Sequence, residues 1–313
     1  MSGPHHPLIE VEVSAALARD LLAEQHPDLA RLPLHGRVHG WDNITWRLGD
    51  TLAVRFPVRE VSAPLVVNEH RWLPALAARV PVPVPAPVRT GRPSGLYPWR
   101  WTVVPWFAGT VVAATDVSGR TTWARELAQA LAAVHEPAPA DAPVNPYRGV
   151  PLAARAEVVE KRLADAPGIP HRAALLDAWR DGLAAPAWDR PPVWVHGDPH
   201  PGNLLSDGDR LAALLDFGDL GHGDPASDLA TAWLTFDAAG RAAFVARTAT
   251  LQGWDDATWR RARAWAAALV PVFLAHPEDY PLMADVGRHA AAQLADEAPG
   301  PVAAPVAGPF AAT

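Results

Sequence analysis

The chain contains no cysteine, so disulfides, thiolate nucleophiles and Cys-based zinc or iron–sulfur sites are excluded. Lysine is nearly missing as well. Lys161 is the sole one, and the other 26 of the 27 basic residues are arginines. Any chemistry that needs a cation in the N-terminal half must therefore use something else. No run of 18 apolar residues occurs, which excludes a standard transmembrane helix. The opening MSGPHHPLIEVEV lacks the basic flank and apolar stretch of a secretory signal. Basic blocks are absent and the formal net charge is −7, so neither nucleic acid nor membrane is expected as a partner. A cytoplasmic location is the expectation.

What is present is enough for a large core. Of 313 residues, 49% are hydrophobic and 19% charged, a balance that suits two lobes or one large domain. Residues 1–13 read as a loose arm, after which Ser14 caps an amphipathic helix, AALARDLLAEQ. From Leu34 to Pro57 the runs LHGRV, NITWRLG and TLAVRFP, punctuated by Gly36, Gly40 and Gly49-Asp50, predict an antiparallel meander. LVVNEHRWLPALAARV then has helical periodicity, PVPVPAPV must be extended, and LYPWRWTVVPWFAG reads as one or two further strands. Beyond Gly109 the chain is mainly helical, with helices expected around 123–135, in LAARAEVVEKRLAD and in LLDAWRDGLAA. An island of β pattern interrupts them at VWVHGDPHPGNLLS and LAALLDFGD, and helices resume at PASDLATAWLTF and TWRRARAWAAALVPVFLA. The tail from Asp296 is low-complexity and is expected to be disordered.

The sharpest signal is His196-Gly197-Asp198-Pro199-His200-Pro201-Gly202-Asn203, followed by Asp216-Phe217-Gly218. Asp207-Gly208-Asp209 is a hairpin-turn signal, so the runs on either side of it should pair and bring Asn203 and Asp216 together at the open end. An Asn oxygen beside a carboxylate, with Asp198 on a stiffened loop just ahead, suits Mg²⁺ with phosphates and waters as the remaining ligands.

These motifs resemble the aminoglycoside/macrolide phosphotransferase family. HGDPHPGNLL matches its catalytic loop, with the Asp-to-Asn spacing of the kinase H-R-D-x-x-x-x-N signature, LLDFGD its metal-binding loop and GDPASDLA its next element. The resemblance runs from about residue 34 to about residue 290. It implies an α+β, two-lobe, protein-kinase-like fold: an N-terminal arm and helix over 1–33, a small antiparallel-sheet nucleotide-binding lobe over 34–109 with a hinge near 103–109, and a larger, mainly helical lobe over 110–295. ATP or GTP and Mg²⁺ are the implied cofactors. Asp198 would orient the acceptor hydroxyl and take its proton, while Asn203 and Asp216 would hold the metal.

In the small lobe the resemblance places Gly40 and Asn43 in the nucleotide-covering loop, Arg55 where the phosphate-contacting lysine stands, and Glu69 as its ion-pair partner. Arginine keeps the charge but replaces a compact ammonium with a planar fork. Glu69 as a surface helix residue is the bland alternative. Backbone groups around Trp106 and Phe107 would meet the purine. His196 is expected to hold the loop by hydrogen bonds, Asp224 to cap a helix, and Asp228 to brace the catalytic loop. The implied activity is transfer of the γ-phosphoryl group to a hydroxyl of a small-molecule acceptor such as an aminoglycoside or macrolide. Its rivals are a kinase of choline-like, homoserine-like or sugar-like metabolites and a nucleotide-binding pseudokinase.

Overall fold

The computed structural model describes residues 8–166 and 168–297. Helix α1 (Ala15–Gln25) starts where Ser14 accepts a hydrogen bond from the Leu17 amide at 3.2 Å. Strands β1 (Leu34–His39), β2 (Asn43–Leu48) and β3 (Leu52–Pro57) form the expected meander, and α2 (Ala63–Ala77) follows. The proline-rich stretch is extended and leads to β4 (Arg89–Gly91) and β5 (Trp101–Pro105). These strands make one sheet in the order β1-β2-β3-β5-β4. Its buried face carries Ile44, Val54, Phe56, Trp101 and Val103, which pack with Val13, Leu21 and Leu22 into a first hydrophobic core.

The chain then leaves this sheet. Gly109 has φ +141°, and a Cβ there would sit 3.0 Å from the Ser206 carbonyl oxygen, so only glycine passes this crossing without strain. Strand β6 (Thr110–Val111) is followed by α3 (Ala124–Val134), α4 (Ala156–Asp165), α5 (Arg172–Ala184) and β7 (Val193–Val195). The hairpin β8 (Leu204–Asp207) and β9 (Arg210–Leu214) comes next, then β10 (Gly221–Gly223), α6 (Ala226–Leu229), α7 (Thr231–Thr235), α8 (Ala238–Leu251), α9 (Asp256–Phe273) and α10 (Pro281–Asp296). Strand β6 pairs with β8, and β10 with β7. The helices enclose a second, larger core in which Trp179, Trp194, Trp233, Trp259 and Trp265 are all less than 5% exposed. These tryptophans are packing residues and not cleft walls.

Two boundaries differ from the sequence reading. Residues 9–13 are no loose arm: Glu10 and Val11 both donate to the Val58 carbonyl, and Val13 is fully buried. The alternation Ile9-Glu10-Val11-Glu12-Val13 is only five residues long, and nothing in it names the residue after β3 as its partner. At the other end, α10 runs through Asp296, and Glu297 accepts from Trp233 Nε1 at 2.7 Å and Arg241 Nε at 2.6 Å. The rest of the expected tail, 298–313, lies outside the described residues, as does His5-His6. Helices α8 and α10 are alanine-rich, and the sequence reading gave no bounds for either. Among the described residues no helix is long and apolar enough to cross a membrane.

Candidate functional site

The β8–β9 hairpin forms around the turn read from sequence, with Asp207 opposite Arg210 and Leu204 opposite Leu214. Leu215 N donates to the Asn203 carbonyl at 2.8 Å, which closes the open end and sets Asn203 beside the strand that leads to Asp216. The Asn203 Nδ2 amide is spent on the Asp198 carbonyl at 3.0 Å and on Asp198 Oδ2 at 3.3 Å. That orientation leaves Oδ1 as the atom able to meet a cation. Asp216 adopts a left-handed backbone, φ 56°, and its side chain is 52% exposed. Such a conformation is uncommon outside glycine, though aspartate tolerates it better than most residues.

Asp198 is bound from several directions. Its Oδ2 lies 3.1 Å from His200 Nε2, and His200 Nδ1 accepts from Gly202 N at 3.0 Å, so Nε2 is the nitrogen that carries the proton. Its Oδ1 accepts from Arg148 Nη2 at 3.1 Å. Burial works to raise the Asp198 carboxyl, but His200 and Arg148 outweigh it and hold the group well below the usual carboxylate range. The backbone before it is equally constrained. Asp228 accepts from the His196 and Gly197 amides at 2.7 and 2.8 Å and pairs with His135 Nε2 at 3.0 Å, which supports its reading as a brace. His196 links Asp198 N, at 3.1 Å, to the Leu215 carbonyl, at 2.9 Å. Asp224 accepts from Ala226 N and also pairs with buried Arg261, Nε to Oδ2 2.6 Å. Arg148 and His200 were missed as partners of Asp198. His200 lay inside the motif, whereas nothing in the local pattern marks Arg148.

From the sheet, β3 supplies Arg55 and α2 supplies Glu69. Arg55 Nη1 donates to both Glu69 oxygens, at 3.2 and 3.3 Å, and Nη2 lies 3.7 Å from Asp216 Oδ1. Glu69 is only 3% exposed, so the bland alternative of a surface residue fails. Burial opposes the Arg55 charge, but Glu69 and Asp216 override it and raise its proton affinity. Residues of both cores thus converge on Asp216.

The loop between β1 and β2 departs from a glycine-rich cradle. Gly40 is not left-handed, and its amide donates to the Asn43 carbonyl at 2.9 Å in an ordinary tight connection. Asn43 opens β2, and its Oδ1 is buried with no hydrogen-bond partner among the described residues. Exposed Trp41 at the loop tip reaches Tyr280, just before α10, with ring centroids 6.1 Å apart. The hinge also needs one correction. The Trp106 amide donates to the Thr51 carbonyl at 2.8 Å, and Arg47 lies over the Trp106 ring at 5.4 Å, so this amide is not open to a purine. Backbone groups alternate in direction along a strand. Val103, whose carbonyl accepts from Val88, therefore shares an edge with Pro105 and Phe107, and β4, which begins at Arg89 opposite Val103, does not extend along that edge toward Pro105. By the same alternation the next groups on that side are the Pro105 carbonyl and the Phe107 amide.

Comparison with known proteins agrees with this arrangement. The phosphotransferase enzyme family, abbreviated APH, matches residues 12–265. No protein of curated function matches the chain. Among solved structures, the GDP and kanamycin complex of APH(2")-IIIa is 18% identical, covers 89% of this chain and 98% of its own, and superposes with a TM-score of 0.67. An apoenzyme of macrolide 2'-phosphotransferase from Brachybacterium faecium is 22% identical over 90% of this chain and 98% of its own, with a TM-score of 0.58. A streptomycin and ATP ternary complex of APH(2")-IIa is 17% identical over 85% of this chain and 91% of its own, with a TM-score of 0.54. At these identities the structural likeness speaks for the fold, a two-lobe kinase-like architecture. The sequence match extends from the residues before α1 into α9, and on that span the chain belongs to the phosphotransferase enzyme family.

Proposed function

We propose that this enzyme transfers the γ-phosphoryl group of ATP or GTP to a hydroxyl of a small molecule, with Mg²⁺ as cofactor. Aminoglycoside and macrolide antibiotics are the first acceptors to test. The observation that carries the reading is the convergence of Asp198, Asn203 and Asp216 at one hairpin mouth, with Arg55 reaching Asp216 from the opposite core at 3.7 Å.

The donor set fits the metal. Among the described residues no three His, Cys, Asp or Glu side chains gather as a metal site. The protein would contribute only Asn203 Oδ1 and an Asp216 oxygen, hard ligands of the kind Mg²⁺ takes alongside phosphates and water. When bound, the metal neutralises charge on the transferring phosphates. Arg55, kept charged and aimed by Glu69, offers its second nitrogen on the same side. The Pro105 carbonyl and Phe107 amide are an acceptor and a donor of the sort a purine edge requires, and Asn43 is an unsatisfied acceptor beneath the covering loop. Asp198, ionised throughout the neutral range, orients the acceptor hydroxyl and takes its proton as transfer proceeds. So weak a base is adequate, because a loose transition state depends on positioning and charge neutralisation more than on early proton abstraction.

The test is a mass-spectrometric acceptor screen with Mg²⁺ and ATP or GTP, over aminoglycosides, macrolides and metabolite alcohols. Asp198→Asn is expected to lower transfer by about 10²–10⁴-fold while nucleotide affinity stays near wild type. A variant turning over at the wild-type rate removes Asp198 from the chemistry.

A further inference from the structure

The segment Asn145–Arg148, in the connection between α3 and α4, touches both loops of the site. Arg148 Nε donates to the Gly197 carbonyl at 2.7 Å and Nη2 to Asp198 Oδ1 at 3.1 Å. Asn145 Nδ2 donates to the carbonyl and to Oδ1 of Asp219, both at 2.9 Å, three residues beyond Asp216. Asn145 Oδ1 in turn accepts from the Tyr147 and Arg148 amides, at 2.8 and 3.1 Å, which fixes the turn that launches Arg148. Gly197 sits in the grip of these contacts. Its φ is +90°, a Cβ there would lie 2.3 Å from the Asp219 carbonyl oxygen, its amide is held by Asp228 and its carbonyl by Arg148.

We propose that Arg148 is a positioning residue for phosphoryl transfer: with Asn145 it staples the catalytic loop to the metal loop and sets which oxygen of Asp198 faces the acceptor hydroxyl. The argument rests on the reading of Asp198 given above. Both carboxylate oxygens are engaged, Oδ2 by His200 and Asn203 and Oδ1 by Arg148. A carboxylate oxygen has two lone-pair directions, so Oδ1 keeps one free site while Oδ2 has none. The hydroxyl is thereby directed to Oδ1, on the side that Arg148 defines. The guanidinium also faces Asp219 and offsets the charge of two carboxylates that would otherwise crowd one pocket. The fork holds the backbone carbonyl and the carboxylate through two nitrogens of one plane, a geometry that a point-like ammonium does not match.

Arg148→Gln, Arg148→Lys, Arg148→Ala and Asp198→Asn are compared with wild type for MgATP and MgGTP turnover, using kanamycin, erythromycin and water as acceptors. Arg148→Gln is expected to lose about 100-fold in kcat, the effect of a misplaced reacting group, with nucleotide KM within threefold of wild type. Arg148→Lys, which keeps the charge but not the fork, is expected to fall between. Added guanidinium is expected to restore part of the kcat of Arg148→Ala, and methylammonium to restore less. Hydrogen exchange of the 196–203 amides is expected to quicken in Arg148→Gln with thermal stability nearly preserved. Wild-type kcat, or exchange unchanged over 196–203, in Arg148→Gln overturns the inference if Asp198→Asn is inactive. Full activity in Asp198→Asn, or no turnover by wild type, overturns the reading beneath it.

Discussion

Arg55 joins two acidic groups in one ion-pair cluster. The expectation was a fork matched to a carboxylate, yet a single nitrogen serves both Glu69 oxygens and the other is left for Asp216. Arginine thus reaches two acidic groups through two separate nitrogens, whereas an ammonium would have to bring both to one nitrogen. Removing it strands Glu69, which is buried. Arg55→Met is expected to destabilise the protein by about 3–5 kcal/mol, read from denaturant midpoints, and Arg55→Met with Glu69→Leu to recover most of that loss. If the single variant is as stable as wild type, the pair contributes nothing. Arg55 and Glu69 were legible in sequence because both occupy motif positions. Arg148 was not, because it reaches Asp198 across 50 residues of chain and a solitary arginine in a loop has no periodicity to mark it. The side of Trp106 was equally hidden, since the direction of an amide depends on which strand pairs with it.

At the scale of elements, short helix α6 matters for one carboxylate. Asp228 satisfies two backbone amides of the catalytic loop and His135 from the end of α3, and no part of it is exposed. Each buried donor left unpaired costs about 1–3 kcal/mol, so Asp228→Ala is expected to lower stability severely and Asp228→Asn, which keeps one good acceptor, less so. Calorimetry of the two variants checks the order. Helix α2 is tied to β5 through His70 and the Thr102 hydroxyl, 2.6 Å apart. Burial, with Arg100 nearby, pushes His70 down from its ordinary 6.5 to about 4. The unfolded chain therefore takes up this proton at higher pH than the folded one. The stability His70 contributes is complete above pH 6.5 and is lost as pH falls toward 4. Between pH 7.5 and pH 4.5 the unfolding midpoint of wild type is expected to drop more than that of His70→Gln; equal drops would exclude the linkage. Strand and helix types in this region followed from periodicity, but the α2–β5 contact depends on sheet order, in which β5 lies between β3 and β4.

In the whole molecule the proposed site belongs to neither core alone. Arg55 comes from the sheet, Asp198 and Asp216 from the helical part, and Trp41 meets Tyr280 across the two. A ligand that contacts both should stabilise them together. At a hundred times its dissociation constant, nucleotide with Mg²⁺ is expected to add about 2.7 kcal/mol to stability, seen as a rise in Tm. Asp216→Ala is expected to abolish the part of that rise that depends on Mg²⁺, and a rise that persists would place the metal elsewhere. The amino-acid sequence by itself determined the meander, the helix-rich second half, the β8–β9 hairpin and the residue types at its mouth. These follow from hydrophobic period, turn chemistry and motif spacing, all local quantities. Only the tertiary structure decided that Arg148 grips Asp198, that Asn145 ties the loop after Asp216 to it, and that the Trp106 amide is taken by the Thr51 carbonyl. It also decided that residues 9–13 and Glu297 are anchored. Those outcomes depend on which distant groups packing brings within hydrogen-bond distance, and the spacing of residues along a chain carries no record of that.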